Sequence, residues 1–118
     1  MLTYIGVSAR DSDIVVHNGT AYFAIVPFKP YDGRLTTAQQ AEQALQRLDE
    51  ELARVNSARG DVMFVTIVLR DMADRDAVNK VWDAWIDPQR PPARACISAE
   101  LANPDMKIEL IVQAAARL

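Results

Sequence analysis

The sequence is poor in the residues that most often build covalent or metal-dependent sites. Its 118 residues include one cysteine, Cys96, and one histidine, His17. A single cysteine cannot form an internal disulfide bond, and a single histidine does not supply the ligand spacing of a zinc site. We therefore expect a protein without a disulfide framework or a bound metal.

An excess of positive charge and a long apolar run are also missing. The formal net charge is −3, and the basic residues are scattered along the chain. Nucleic-acid surfaces need clustered Lys and Arg, and a membrane-spanning helix needs about 20 apolar residues. The first 13 residues, MLTYIGVSARDSD, lack the pattern of a signal peptide. These absences argue against nucleic-acid and membrane partners and predict a cytoplasmic protein.

The composition that is present is typical of one folded domain. Half of the residues are hydrophobic and a quarter are charged. A chain of this length can bury one hydrophobic core but not two. We therefore expect a single domain over residues 1–118.

Strand signals occur in both halves of the chain. Two β-rich runs flank Asn18-Gly19, a pair typical of a type I′ hairpin turn. Residues 61–71 are rich in β-branched side chains and predict a central strand. Residues 93–99 and the segment from Lys107 predict two further strands, and residues 2–7 could form another.

Two amphipathic segments predict helices. Thr36 or Thr37 can cap a long first helix that runs towards Gly60, and Thr37 with Gln40 fits a capping box. Residues 72–86 predict a second helix with both tryptophans on its apolar face. Each helix lies between predicted strands, so the chain is predicted to be α+β, with two helices on one face of a mixed sheet. The other face would be bare and apolar, which predicts a symmetric assembly.

The segment PPARACISAEL, residues 91–101, places one arginine in an apolar strand. Side chains alternate along a strand, so Arg94 and Ala93 point to opposite faces. We assign to the helices the side that holds Ala93, Ala95, Ile97, Ala99 and Leu101, and to the bare face the side that holds Arg94, Cys96, Ser98 and Glu100. In the last strand Glu109 falls on the bare side. Arg94 and Glu109 are therefore predicted to share a face.

An arginine and a glutamate on one face admit two interpretations. An exposed ion pair is common and contributes only ~0–1 kcal/mol. At a buried interface, an arginine instead suits a carboxylate ligand and a nearby glutamate suits acid/base work. The residues alone leave both interpretations open.

Five landmarks in order resemble the Rid/YjgF family of reactive-intermediate (enamine/imine) deaminases. They are Gly60-Asp61, T-x-x-L-R-D at 66–71, V-N-K-V-W at 78–82, P-A-R-A-C at 92–96 and K-I-E at 107–109. Together they span about half of the chain, and the first half matches the family in pattern.

The resemblance implies a chorismate-mutase-like fold, assembled as a homotrimer with clefts between subunits. It implies that Arg94 clamps the carboxylate of a 2-imino or 2-enamino acid and that the backbone carbonyl of Cys96 contacts the substrate nitrogen. Glu109 would hold and activate the attacking water, and Asn79 would lie near the cleft. The partner would be a small carboxylate-bearing imine or enamine, and no cofactor would be needed.

Two departures from the family leave the activity open. Asp11 or its neighbours stand where many active members carry an aromatic residue, and Ala24-Ile25-Val26 replaces a Ser-Gly pair. A non-catalytic trimer that binds small carboxylates is therefore the alternative. An RNA-cleaving enzyme is disfavoured by the acidic balance and by the lack of a histidine pair.

Overall fold

The computed structural model describes all 118 residues as an α+β fold with six strands and two α-helices. The strands are β1 (Leu2–Val7), β2 (Ser12–His17), β3 (Thr20–Ile25), β4 (Val62–Leu69), β5 (Ala93–Ser98) and β6 (Ile108–Ala115). The helices are α1 (Thr37–Ala53) and α2 (Arg75–Trp85), and short 3₁₀ turns precede β4 and α2. The predicted order of elements is confirmed, including the additional first strand.

The six strands form one mixed sheet in the order β1-β2-β3-β6-β4-β5. β4 and β5 are parallel, and every other neighbouring pair is antiparallel. Since β3 and β4 both run antiparallel to β6, they are parallel to each other, and α1 connects them. α2 connects β4 to β5 in the same way, so both helices are crossovers, as predicted.

Local backbone signals account for the turns around β2, β3 and α1. Asn18 and Gly19 both adopt positive φ, 50° and 77°, as a type I′ turn requires. Thr36, one of the two predicted caps, caps α1. The capping box lies one residue earlier than predicted, because Thr36 accepts from Gln39 N and the Gln39 side chain accepts from Thr36 N. The predicted end near Gly60 is wrong. α1 stops at Ala53, and Asn56, with φ 53°, adopts the left-handed conformation soon after.

Gln40 is predicted as part of the capping box. Its buried side chain instead links α1 to the start of β6 by hydrogen bonds. Its amide nitrogen donates to the carbonyls of Asp32 (3.1 Å) and Asp105 (2.8 Å). Its amide oxygen accepts from the backbone N–H of Lys107 at 2.8 Å. Lys107 immediately precedes β6, so Gln40 sets where that strand begins and where Glu109 lies.

The core lies between the helices and one face of the sheet, and the opposite face is uncovered. Strand residues that face the helices, such as Ile14, Phe23, Val65 and Leu110, are buried. The opposite face, called the open face below, carries large apolar side chains that are 38–56% exposed: Leu2, Tyr4, Tyr22, Phe64, Ile97 and Ile111. The predicted bare apolar face is confirmed. Neither helix is long and apolar enough to cross a membrane.

The role of Gln40 predicts a large loss of stability on Gln40→Met. The substitution keeps the side-chain length but leaves a backbone N–H and two carbonyls without their partner. Unsatisfied buried groups cost about 1–3 kcal/mol each, so the loss of all three bonds should lower the free energy of unfolding by about 3 kcal/mol or more. Urea denaturation measures this. Gln46→Met, at an exposed position of α1 with no side-chain hydrogen bond, is the control and should change it by less than about 0.5 kcal/mol. Equal effects of the two substitutions would contradict the assignment.

Candidate functional site

The register of β5 places Arg94 and Cys96 on the face that packs against the helices. Arg94 pairs with Val65 and Cys96 pairs with Ile67, and both partners are core residues. Paired residues in neighbouring strands share a face, so Arg94 points towards the helix layer. Ile97, predicted to face the helices, is 48% exposed on the open face. The predicted assignment of the two sides of β5 is therefore wrong.

Glu109 lies on the open face, as predicted, between the buried Ile108 and Leu110. It pairs with Val68, whose partner on β5 is Ile97. The prediction that Arg94 and Glu109 share a face is consequently wrong. Their backbones lie two strands and three positions apart, roughly 14 Å, with the sheet between the side chains. One small ligand cannot contact both side chains within a single protomer.

The guanidinium of Arg94 lies over a tryptophan ring and makes no polar contact within the chain. Its central carbon lies 5.4 Å from the centroid of the Trp82 ring on α2. No carboxylate lies within salt-bridge distance of it, and its side chain makes no hydrogen bond within the chain. One face of the guanidinium is therefore occupied, while its N–H groups can still donate to a ligand.

Trp82 packs against Trp85, which Asp49 and Arg59 hold in place. The rings of Trp82 and Trp85 lie 5.6 Å apart and are tilted by 38°. Trp85 Nε1 donates to Asp49 Oδ1 at 3.1 Å, and Arg59 stacks on the Trp85 ring at 5.1 Å. Arg59 also donates two hydrogen bonds to Asp49, at 2.9 and 2.8 Å. Both tryptophans are core residues, as predicted, but the contact of Trp82 with Arg94 was not foreseen.

Asn79 and Cys96 lie along the same boundary between α2 and β5. Asn79 is three residues before Trp82 and so lies on the same side of α2. α2 runs antiparallel to β5, which places Asn79 one turn further towards the carboxyl end of the strand, where Cys96 follows Arg94. Cys96 is half-buried against the edge of the core. Arg94, Cys96 and Asn79 thus lie on two elements that are neighbours in the fold, and Glu109 lies apart from them.

Glu109 is half-buried among apolar neighbours. Val68 pairs with it and is buried, and Ile97 lies on the same face one strand further. Burial away from water disfavours the charged carboxylate and raises the pKa of Glu109 above its ordinary value of 4.5. No hydrogen bond within the chain offsets this cost, so this carboxyl holds its proton more tightly than a solvated glutamate does.

The two departures noted in the sequence lie elsewhere in the protomer. Asp11 belongs to the turn between β1 and β2, where it accepts a hydrogen bond from Ser8 Oγ at 2.7 Å. β1 is the edge strand opposite β5, so Asp11 does not approach Arg94 within one chain. Ile25 is a core residue, and the Val26 carbonyl accepts from Arg47 at 3.1 Å.

The two larger concavities of the protomer contain neither Arg94 nor Glu109. A groove of about 590 Å³ lies between the outer surfaces of α1 and α2, next to Lys80, Val81 and Trp85. A smaller, wholly polar hollow of about 350 Å³ lies next to Thr37, Arg70 and Lys107. In that hollow Arg70 already donates to the carbonyls of Met106 and Asn103. The candidate residues therefore form parts of a site and not a closed pocket.

Comparison with known proteins identifies relatives over nearly the whole length. Residues 3–116 match the family described as endoribonuclease L-PSP. A RutC family protein from Haemophilus ducreyi is 39% identical over 115 residues, which cover 98% of this chain and 97% of that protein. A protein named 3-aminoacrylate deaminase RutC from Acinetobacter baylyi is 36% identical over 73 residues, 62% of this chain and 57% of that protein.

Solved structures agree with the sequence comparison. A crystal structure of a YjgF family member from Neisseria meningitidis superposes with a TM-score of 0.91 and 35% sequence identity. The match covers 100% of this chain and 97% of that one. The resemblance carried by the five sequence landmarks is thereby confirmed, and the protein belongs to the Rid/YjgF family.

Proposed function

We propose that this protein hydrolyses 2-imino and 2-enamino acids to 2-oxo acids and ammonia, at sites that two protomers of a homotrimer build together. Arg94 of one protomer binds the substrate carboxylate, and Glu109 of a neighbouring protomer activates water. The observation that carries the proposal is the placement of these two side chains on opposite faces of one sheet, each without a partner in its own chain.

The surfaces around the two residues support a site between protomers. Glu109 stands on the open face among exposed apolar side chains, a surface that a second copy of the chain would cover. Arg94 stands on β5, at the free edge of the sheet. When the open face of one protomer packs against the β5 edge of another, Glu109 and Arg94 enter the same cleft. In a closed ring every subunit then contributes both halves, each to a different cleft.

The relatives support the reaction class. The Acinetobacter baylyi protein, 36% identical over its matched part, is named for the deamination of 3-aminoacrylate, a carboxylate-bearing enamine with its nitrogen on C3. The name supports enamine deamination as the reaction class, and the 2-amino position of the substrate is part of our proposal. Arg94 suits such a substrate, because a guanidinium with free N–H groups can donate two parallel hydrogen bonds to a carboxylate.

The chemistry requires few groups. The imine tautomer of the substrate is electrophilic at C2 when its nitrogen is protonated. Glu109 takes a proton from water as the oxygen bonds to C2, and the C=N electron pair moves to nitrogen. Glu109 returns this proton to the nitrogen of the resulting carbinolamine. The C–N bond then breaks as the C=O bond forms, ammonia leaves, and Glu109 takes up the hydroxyl proton and passes it to ammonia or to solvent. Acid/base help of this kind contributes about 10²–10⁴-fold.

A non-catalytic carboxylate binder is the second candidate. It is favoured by the free guanidinium of Arg94, which needs no contribution from Glu109 to hold an anion. The two candidates differ in whether ammonia is released and whether Glu109 matters.

Ammonia release from freshly generated 2-aminocrotonate tests the reaction. Arg94→Ala removes the proposed carboxylate clamp and should lower kcat/KM by about 100-fold. Arg75→Ala is the matched control, since Arg75 also lacks a side-chain hydrogen bond but lies at the start of α2. The control should keep the wild-type rate. If wild type and Arg94→Ala released ammonia equally, catalysis by this site would be excluded and the proposal lost.

Subunit mixing tests the shared site directly. Arg94→Ala and Glu109→Gln protomers should each be inactive alone. Co-assembled in equal amounts they should regain up to about a quarter of the wild-type activity, because random pairing in a ring leaves that share of clefts with both residues intact. Protomers carrying both substitutions, mixed with wild type, are the control for dilution. No recovery in mixed particles of confirmed trimer mass would contradict the shared site.

The raised pKa of Glu109 predicts an acidic limb in the pH profile. The general base must be deprotonated, so kcat/KM should fall as the pH decreases through a midpoint above 4.5. The group also favours folding less as the pH rises from 4.5 through its raised pKa, so Glu109→Gln should be the more stable form at pH 7. Rate measurements and urea denaturation over pH 4–8 check both. A midpoint at or below 4.5 would contradict the assignment of Glu109.

A further inference from the structure

Arg94 differs from the other arginines in the way it is held. Carboxylates bind Arg34, Arg54, Arg59, Arg90 and Arg117, and backbone carbonyls bind Arg47 and Arg70. Two other guanidinium groups, those of Arg10 and Arg75, have no partner at all. Arg94 alone among the unpaired arginines rests on an aromatic face, that of Trp82 at 5.4 Å. A cation–π contact orients a guanidinium without consuming its hydrogen-bond donors.

The ring beneath Arg94 is more rigid than a surface aromatic residue. Trp82 is only 6% exposed and packs against Trp85. Trp85 is in turn held by a hydrogen bond to Asp49 and by the stacked Arg59. The Arg59–Asp49 ion pair thus holds Trp85, Trp85 supports Trp82, and Arg94 lies on the outer side of Trp82.

A free arginine loses rotamer freedom when it binds a ligand, and a surface that already orients it reduces this loss. The plane of a guanidinium that lies on a ring presents its N–H edge away from the ring. This edge is the part that donates two parallel hydrogen bonds to a carboxylate. Trp82 therefore controls how Arg94 meets an anion without touching the anion itself.

We infer that Trp82 is a positioning residue, which holds the guanidinium of Arg94 over its ring so that the free N–H groups are set in advance for a planar carboxylate. This inference rests on the proposed function, because it concerns the same carboxylate clamp. It adds a specific role for α2. Trp82 on this helix orients the guanidinium, and Arg94 on β5 carries the positive charge.

Binding of 2-oxobutanoate, a small 2-oxo acid, tests the inference independently of turnover. Calorimetric titration of the assembled protein should give a dissociation constant about 5–10-fold higher for Trp82→Leu than for wild type. Trp82→Phe keeps an aromatic face of weaker charge and should raise it only about 2–3-fold. Lys80→Ala, at an exposed position of the same helix with no side-chain hydrogen bond, is the control and should change it less than twofold.

A double-mutant cycle separates positioning from a structural role. If Trp82 acts through Arg94, Trp82→Leu should change the affinity by less than about twofold once Arg94→Ala is present. A merely structural effect would persist in that background and would appear as a lower Tm in Trp82→Phe as well. An undiminished effect of Trp82→Leu without Arg94 would overturn the inference.

Fluorescence supplies a second readout that keeps the test decisive if Trp82→Leu folds poorly. The chain has two tryptophans, so in Trp85→Phe the emission comes from Trp82 alone. Saturation with 2-oxobutanoate should shift that emission, and Arg94→Ala should abolish the shift.

The possible failures are distinguishable. If Arg94→Ala weakens binding but the tryptophan variants do not, the inference fails and the proposed function stands. If wild type shows no saturable binding, or if Arg94→Ala binds as tightly as wild type, both fail together.

Discussion

The alternation of side chains across a sheet that is covered on only one side governs every functional residue of this protein. Residues of odd and even position in a strand enter different surroundings, one sealed by helices and the other open. Arg94 and Glu109 fall on opposite sides of this division. The helix side gives Arg94 an aromatic support, while the open side gives Glu109 an apolar setting that raises its pKa. Because the register of β5 and β6 sets these faces, a substitution at Arg94 or Glu109 would not move either position to the other face.

The sequence predicts an element well where its own pattern has only one solution. β6 alternates large aliphatic residues with polar ones, so Ile108 and Leu110 could face only the core, and Glu109 had to face away. β5 has no such constraint, because its alanines fit either face and its edge position leaves both partly exposed. The phase of β5 is decided by its register with β4 and by the Trp82 ring, which are contacts between distant parts of the chain. The end of α1 escaped prediction for a related reason, since Asn56 rather than a glycine adopts the left-handed conformation.

The distribution of ion pairs reinforces the distinction between structural and functional charges. Asp61 illustrates a structural charge: it accepts hydrogen bonds from Arg117 at 2.8 and 3.1 Å, which lower its pKa, and it fixes the end of the chain beside β4. Arg94 illustrates the contrary case of a cation with its donors unused. Arg94 is exposed, so leaving these donors unpaired costs little in the isolated protomer. The indole face orients the guanidinium, and its N–H groups remain available to a ligand.

Charge balance at the proposed cleft restricts what can occupy it. Packing the open face against a neighbour would remove further water from Glu109, whose pKa is already raised by burial. An anion without a nitrogen would satisfy Arg94 and would leave Glu109 to keep its proton more readily. A 2-imino acid with a protonated nitrogen carries both charges, so its carboxylate meets the guanidinium and its iminium lies towards the glutamate. The cation then lowers the cost of the charged carboxylate when a base is needed. The proposed cleft, with a fixed guanidinium from one protomer and an ionisable carboxyl from another, would therefore hold a zwitterionic guest more tightly than a simple carboxylate.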